Sequence, residues 1–283
     1  MGKPFVSVII PTYNRPLFLS ELIESLFRQT FKDFEIIIVN DNGDKVDFVK
    51  DLYPELEIEV LEMERNEQHV QARNRGVTHS KGEFILLCDD DDLLLPGHLK
   101  RMIKEIKNCD LVYSDAEIFD YTIENNIRVP GNRFLFAYEH EVEEMKKFST
   151  FVPSGCLYRR SIHEEVGFFD PEMFNYWDWD FYLRVSERFL VKRVPVASTL
   201  YAFSPSGDHL SGNLKSRRFY LDQLSRKHNL GDLPVTNFFL MLEEPEVKAR
   251  QAATDRVWDG QPVLSRLVNK NATNLLEQLY GGA

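Results

Sequence analysis

Short apolar runs alternate with longer amphipathic stretches along the N-terminal part of the chain. "FVSVII" (5–10) is rich in β-branched residues and ends at Pro11, which predicts a buried strand. In 16–30, Phe18, Leu19, Leu22, Ile23, Leu26 and Phe27 recur at helical spacing behind Pro16, a residue suited to a first helical turn. The pattern then repeats. Strands are expected at 34–40, 58–63, 83–88 and 110–114, and helices at 45–53, 68–80 and from Pro96 to about Lys107. Strands that are apolar on both faces and alternate with helices predict a mostly parallel sheet covered by helices on both sides.

Past residue 115 the pattern changes. Residues 116–129 read as antiparallel strands around a turn. A strand and a short helix ending near Gly167 follow, then a helix at 178–189 and a strand at 191–203. The last seventy or so residues read as helix and tail. No linker stands out before about residue 205, so 1–205 is expected to share one fold, with 1–115 and 116–205 as its two halves and 206–283 as an extension.

Composition narrows the function. A formal net charge of −11 argues against a nucleic-acid surface. No run of ~18 apolar residues predicts a membrane span. The N-terminus lacks the apolar stretch of a secretory leader, and Cys88, Cys109 and Cys156 suit neither a disulfide framework nor a zinc site. The expected setting is the cytoplasm, with peripheral association at a membrane left open.

Three polar segments fall at the carboxyl ends of predicted strands: "PTYNR" (11–15), "NDNGD" (40–44) and "DDDD" (89–92). Open parallel sheets bind ligands at that rim. In an extended chain Asp89 and Asp91 would share one face, and such carboxylates, completed by water and phosphate oxygens, suit Mg²⁺ or Mn²⁺. The other reading of the run is a solvated acidic turn capping the helix near Pro96.

Taken together, "VSVIIPTYNRPLFLSELIESLFRQTFKDFEIIIVNDNG", "QARNRGVTHSKGEFILLCDDDDLLLPGHL" and "YRRSIHEEVGFFDPEM…WDWDFYLRV" closely resemble glycosyltransferase family two, including its spore-coat polysaccharide type. The resemblance runs in order to about residue 203. It implies an α/β GT-A fold and an inverting hexosyltransferase that uses a nucleoside-diphosphate sugar, of UDP or dTDP, with Mn²⁺ or Mg²⁺. It implies that Pro11, Thr12 and Tyr13 line the nucleoside pocket, that Asp41 bonds the base, and that Arg73 lies near the nucleotide. Asp91 is the first choice for the metal, Asp89 the second, and Asp90 matches a ribose contact. Asp178 matches the catalytic base. Trp177 stands where the family often has Glu, and Asp180 is the alternative base.

Without the resemblance each residue has a plainer role. Tyr13 would be a rim residue, Asp41 a turn former, Arg73 a surface arginine and Asp178 a helix cap. A saccharide or a lipid-linked carrier is the expected acceptor. The loop 204–218, with His209, Lys215, Arg217 and Arg218, reads as a lid or a linker. The tail 263–280 has leucines at helical spacing that would pack on the core, pair with a second subunit or lie on a membrane, the last least favoured. No G-x-G-x-x-G or P-loop follows the first strand. A sugar-1-phosphate nucleotidyltransferase and a non-catalytic nucleotide-sugar-binding protein remain the alternatives.

Overall fold

The computed structural model describes residues 2–203, 214–235 and 238–268. The chain order is β1 (Val6–Thr12), α1 (Pro16–Phe27), β2 (Phe34–Asn40), α2 (Phe48–Leu52), β3 (Ile58–Glu62), α3 (Gln68–His79), β4 (Phe84–Leu87), β5 (Leu93–Leu94) and α4 (His98–Glu105). It continues with β6 (Leu111–Glu124), β7 (Ile127–Phe136), α5 (Val142–Met145), β8 (Leu157–Arg159), α6 (Ile162–Val166), α7 (Trp177–Ser186) and β9 (Val191–Ala202). The last elements are α8 (Leu214–His228), α9 (Phe238–Glu243), α10 (Pro245–Lys248) and β10 (Asp255–Arg256).

Every residue of β1 and β2 is buried, because helices cover both faces of the sheet. The strand period of two sorts the side chains. Val6, Val8, Ile10, Ile36 and Ile38 pack with Leu19, Leu22, Ile23 and Leu26 of α1 and Leu99 and Met102 of α4. Ile9, Ile37, Val39, Ile85 and Leu87 face Val70, Ala72 and Val77 of α3, and Ile162 and Phe181 of α6 and α7. Gly76 lets α3 lie close to the sheet, since a Cβ there would sit 2.5 Å from Ile9 Cγ2.

The sheet order is β10-β9-β6-β8-β4-β1-β2-β3. Strands β1 to β4 pair in parallel, as the apolar runs predict. The strand expected ahead of the short helix is β8, and the fold inserts it between β4 and β6, antiparallel to both, a placement the sequence pattern did not reveal. The runs read separately as 110–114 and the start of 116–129 form one strand, β6. It turns into β7 through Asn125 and Asn126, whose φ values of 52° and 59° suit a two-residue hairpin turn.

The C-terminal part is not only helix and tail. After α10 the chain adds β10 beside β9 and then crosses to α1, where Leu267 is fully buried. Of the predicted tail helix, 266–268 forms a short helical turn and 269–283 lies outside the described residues. Residues 204–213 of the predicted lid, including His209, and the side chain of Lys215 also lie outside them. No described helix is long and apolar enough to cross a membrane.

Candidate active site

A cleft of about 490 Å³ opens at the carboxyl ends of β1, β2 and β4. Pro11, Thr12, Tyr13, Asp41, Arg73, Asp89, Asp90, Asp91 and Asp178 all line it. The three polar segments meet because β1 runs beyond β4: Ile9 is level with Leu87, so Ile10 to Thr12 overhang toward the acidic run.

Thr12 Oγ1 donates to Asp90 Oδ2 at 2.7 Å, while Tyr13 stands nearly half exposed on the rim. Asn40 rather than Asp41 organises the turn after β2. Its amide nitrogen donates to the carbonyls of Gly43 and Asp44, and its Oδ1 accepts from the Gly43 amide. Gly43 is required by space: a Cβ there would lie 2.6 Å from Asn14 Oδ1. Asp41 is left to accept the Glu67 amide at 2.8 Å, ahead of α3.

The acidic run is a turn, closed by Asp92 N donating to Asp89 O, so the alternation expected of an extended chain does not hold. Each carboxylate has its own surroundings. Asp89 pairs with Arg73, which is buried and stacked over the Trp177 ring at 4.0 Å. Asp90 and Asp91 share Arg15, at 3.3 and 2.7 Å. Asp92 turns inward, where Oδ1 accepts the Ala202 amide and Oδ2 has no hydrogen-bond partner among the described residues. Burial, followed by the neighbouring Asp91 charge, pushes the Asp90 carboxyl up to about 7 against the pull of Arg15 and Thr12. Arg128, on β7, donates to the Asp91 carbonyl at 2.5 Å. It is itself held by buried Glu21 at 2.8 Å and lies over Phe18, Phe119 and Tyr121.

Asp178 sits in the first turn of α7. Burial pushes its carboxyl up to about 6, opposed by backbone N–H groups at the helix start and by Arg73. The alternative candidate, Asp180, is engaged by three basic partners. It is fully buried and takes Arg184 Nε at 2.9 Å, His228 Nε2 at 2.8 Å and Lys227 Nζ at 2.7 Å. Burial raises its pKa, but those bonds outweigh burial and leave it below the usual carboxylate range. Trp179 packs, with Nε1 donating to Met145 O. Arg218 binds Asp222, Asp232 and the Leu233 carbonyl.

A second chamber of about 200 Å³ adjoins the cleft, and Pro153, Asn175, Asp178 and Tyr201 line both. Its wall is mainly apolar and rich in rings, with Phe136, Phe148, Phe151, Tyr176, Trp179 and Phe238, and Arg217 also reaches it. Asp178 therefore stands where two spaces meet.

A divalent cation fits the acidic run. Arg15 already lies against Asp90 and Asp91 as a positive stand-in. Among the described residues no three His, Cys, Asp or Glu side chains are grouped to hold a metal unaided. Such a site suits an ion that takes one or two carboxylates and completes its shell on a ligand's phosphates.

Reading the sequence missed Arg15, His69, Phe174 and Arg128 around the site. Arg15 lies within "PTYNR", beside residues already singled out, so its position was a usable signal. Arg128 carried none, because only the hairpin brings it back to the acidic run.

The parallel sheet, the rim cleft and the antiparallel insertion are those of a GT-A fold. Residues 7–167 match the model for Glycosyl transferase family 2. A protein of Bacillus subtilis (strain 168) described as the uncharacterized glycosyltransferase YwdF is 55% identical over 263 residues, covering 93% of this chain and 98% of its own length. The chain belongs to glycosyl transferase family 2 and is a glycosyltransferase. Among solved structures, S. aureus TarS in complex with UDP matches with a TM-score of 0.58 and 21% identity, over 78% of this chain and 65% of that one. The mannosyltransferase PcManGT of Pyrobaculum calidifontis, in complex with GDP-Man and Mn²⁺, matches with a TM-score of 0.59 and 16% identity, over 83% and 67%. At such identities these two likenesses speak for the fold alone.

Proposed function

We propose that the chain transfers a sugar from a nucleoside-diphosphate sugar to an acceptor hydroxyl with inversion, in polysaccharide or glycoconjugate synthesis. One observation carries the reading: a single cleft gathers the acidic run, Asp41, Arg73 and Asp178, and a second chamber joins it at Asp178. In this reading the cleft takes the donor and the chamber takes the acceptor, a saccharide or lipid-linked sugar. Residues 1–205 form the catalytic unit, 1–115 on the donor side and 116–205 on the acceptor side.

The Tyr13 face stacks on the base, Pro11 and Thr12 close the nucleoside pocket, Asp41 accepts a hydrogen bond from the base and Asp90 takes the ribose hydroxyls. Arg73, anchored by Trp177 and Asp89, sets positive charge beside the nucleotide. Asp91, with Asp89 second, would hold Mn²⁺ or Mg²⁺, which supplies Lewis-acid stabilisation of the leaving diphosphate. Asp178 removes the acceptor proton as the hydroxyl attacks the sugar from the face opposite the diphosphate. A pKa near 6 suits a base working near neutrality. The neighbours in fold hold UDP or UDP-GlcNAc in TarS and GDP-Man with Mn²⁺ in PcManGT, so UDP and GDP sugars with Mn²⁺ are the donors to test first.

The test is product analysis across a panel of UDP, dTDP and GDP sugars with Mn²⁺, preceded by a thermal-shift screen of the same nucleotides. Free nucleoside diphosphate together with glycosylated acceptor is the expected result. A parallel assay supplies a nucleoside triphosphate with a sugar 1-phosphate, and release of pyrophosphate there would mean nucleotidyl transfer. A donor that binds and never turns over, with Asp178→Asn indistinguishable from the parent, would mean a binding module.

A further inference from the structure

The three arginines around the acidic run are held to different degrees. Arg73 is buried between Asp89 and the Trp177 ring. Arg128 is buried between Glu21 and three aromatic rings. Arg15 is different. Its side chain is 39% exposed, it stands just ahead of Pro16 at the start of α1, and it lines the cleft. Its described partners are the two carboxylates, with Nη1 donating to Asp91 Oδ2 at 2.7 Å and to Asp90 Oδ1 at 3.3 Å.

A guanidinium 2.7 Å from Asp91 Oδ2 and a divalent cation on the same carboxylate repel one another, and the metal requires the closer approach. A guanidinium displaced within the cleft is well suited to phosphate oxygens, which match its planar fork. We propose that Arg15 is an exchangeable counter-charge: it neutralises Asp90 and Asp91 in the empty enzyme and transfers to the donor diphosphate when a divalent cation takes Asp91. The inference rests on the metal reading above. It adds a consequence that reading lacks, which is that Arg15 opposes the cation when it binds alone and favours the cation and nucleotide together. That is a positive coupling between the two ligands.

The test uses the full chain and two variants, Arg15→Gln and Arg15→Lys, with folding checked by thermal midpoint. Mn²⁺ binding to nucleotide-free protein is followed by the free-Mn²⁺ paramagnetic resonance signal. UDP and GDP binding at saturating Mn²⁺ is followed by calorimetry. Relative to the parent, Arg15→Gln is expected to bind Mn²⁺ alone about fivefold more tightly, the upper worth of a partly exposed ion pair. It is expected to bind the nucleoside diphosphate about tenfold more weakly, from the loss of a charged hydrogen bond. Arg15→Lys, which keeps a charge and loses the fork, is expected to shift both affinities in the same directions by less. If both affinities fall in Arg15→Gln, Arg15 is a scaffold for the acidic turn and the exchange is wrong. If neither affinity moves in either variant, the exchange is wrong as well. A parent that binds neither Mn²⁺ nor nucleotide in any combination overturns the metal reading itself and the exchange with it.

Discussion

Asp178 and Asp180 are two residues apart in "WDWDF", and their surroundings separate them completely. Asp180 is spent on Arg184, Lys227 and His228, while Asp178 keeps a raised pKa at the junction of cleft and chamber. If Asp178 is the base, kcat/KM rises with pH through about 6 and levels off above it, because only the carboxylate accepts a proton. Asp178→Asn should then lower kcat by about 10²–10⁴-fold and leave nucleotide affinity nearly unchanged. Stability moves the other way. A carboxyl whose pKa is higher folded than unfolded burdens the fold as pH climbs from its ordinary 3.8 to about 6, and the cost is complete above that. Asp178→Asn is therefore expected to raise the unfolding free energy at pH 7 by ~1–2 kcal/mol, read by urea titration at pH 4 and pH 7. The family resemblance nominated Asp178, with Asp180 as the alternative, while their place at a helix start by itself suggested only a cap. The choice between them needed α8, whose Lys227 and His228 lie far along the chain.

At the scale of elements, the acidic turn is held from several directions at once. Thr12 and Arg15 reach it from the end of β1, Arg73 from α3 and Arg128 from β7. The Glu21–Arg128 pair is the deepest of these supports, with both side chains almost wholly buried. Removing one partner leaves the other charged in an apolar setting, so Arg128→Leu should cost about 3–5 kcal/mol in urea unfolding. Arg128→Leu with Glu21→Met together should recover most of that stability, because no charge is then stranded. The acidic turn would still lose the bond to the Asp91 carbonyl, and weakened Mn²⁺-dependent nucleotide binding in the stable double variant is the expected signature. The elements themselves were legible wherever one face or both were apolar, as in β1, β2, α1 and α3. The two-residue β5 and β10 were not, because segments so short carry no period.

Across the whole molecule, the chain beyond the family-matched region contributes to the core. After β10 joins the far edge of the sheet, Trp258 packs against Phe119, and the chain returns to α1. There Ser20 donates to Ser265, Leu267 is fully buried, and Arg266 donates to the Leu52 carbonyl and pairs with Glu55. A detachable appendage would tolerate truncation of that leucine. Leu267→Ala is expected instead to destabilise the protein by about 2–5 kcal/mol, as for any closed core site, measured by the shift in chemical unfolding midpoint.

Local patterning settled a good deal on its own. The alternation of apolar strands with amphipathic helices fixed the covered parallel sheet. The placement of "PTYNR", "NDNGD" and "DDDD" at strand ends fixed one rim, since strand direction dictates where those ends lie. Tertiary structure decided what side chains do once there. It folded four adjacent aspartates into a turn with unlike surroundings, buried Asp92, gave Asp180 to α8 and Asp178 to the cleft, and brought Arg15 and Arg128 onto the acidic run. The reason is physical: periodicity reports which face of an element meets the core, whereas a charge is governed by the burial and counter-charges around it, and these come from distant parts of the chain.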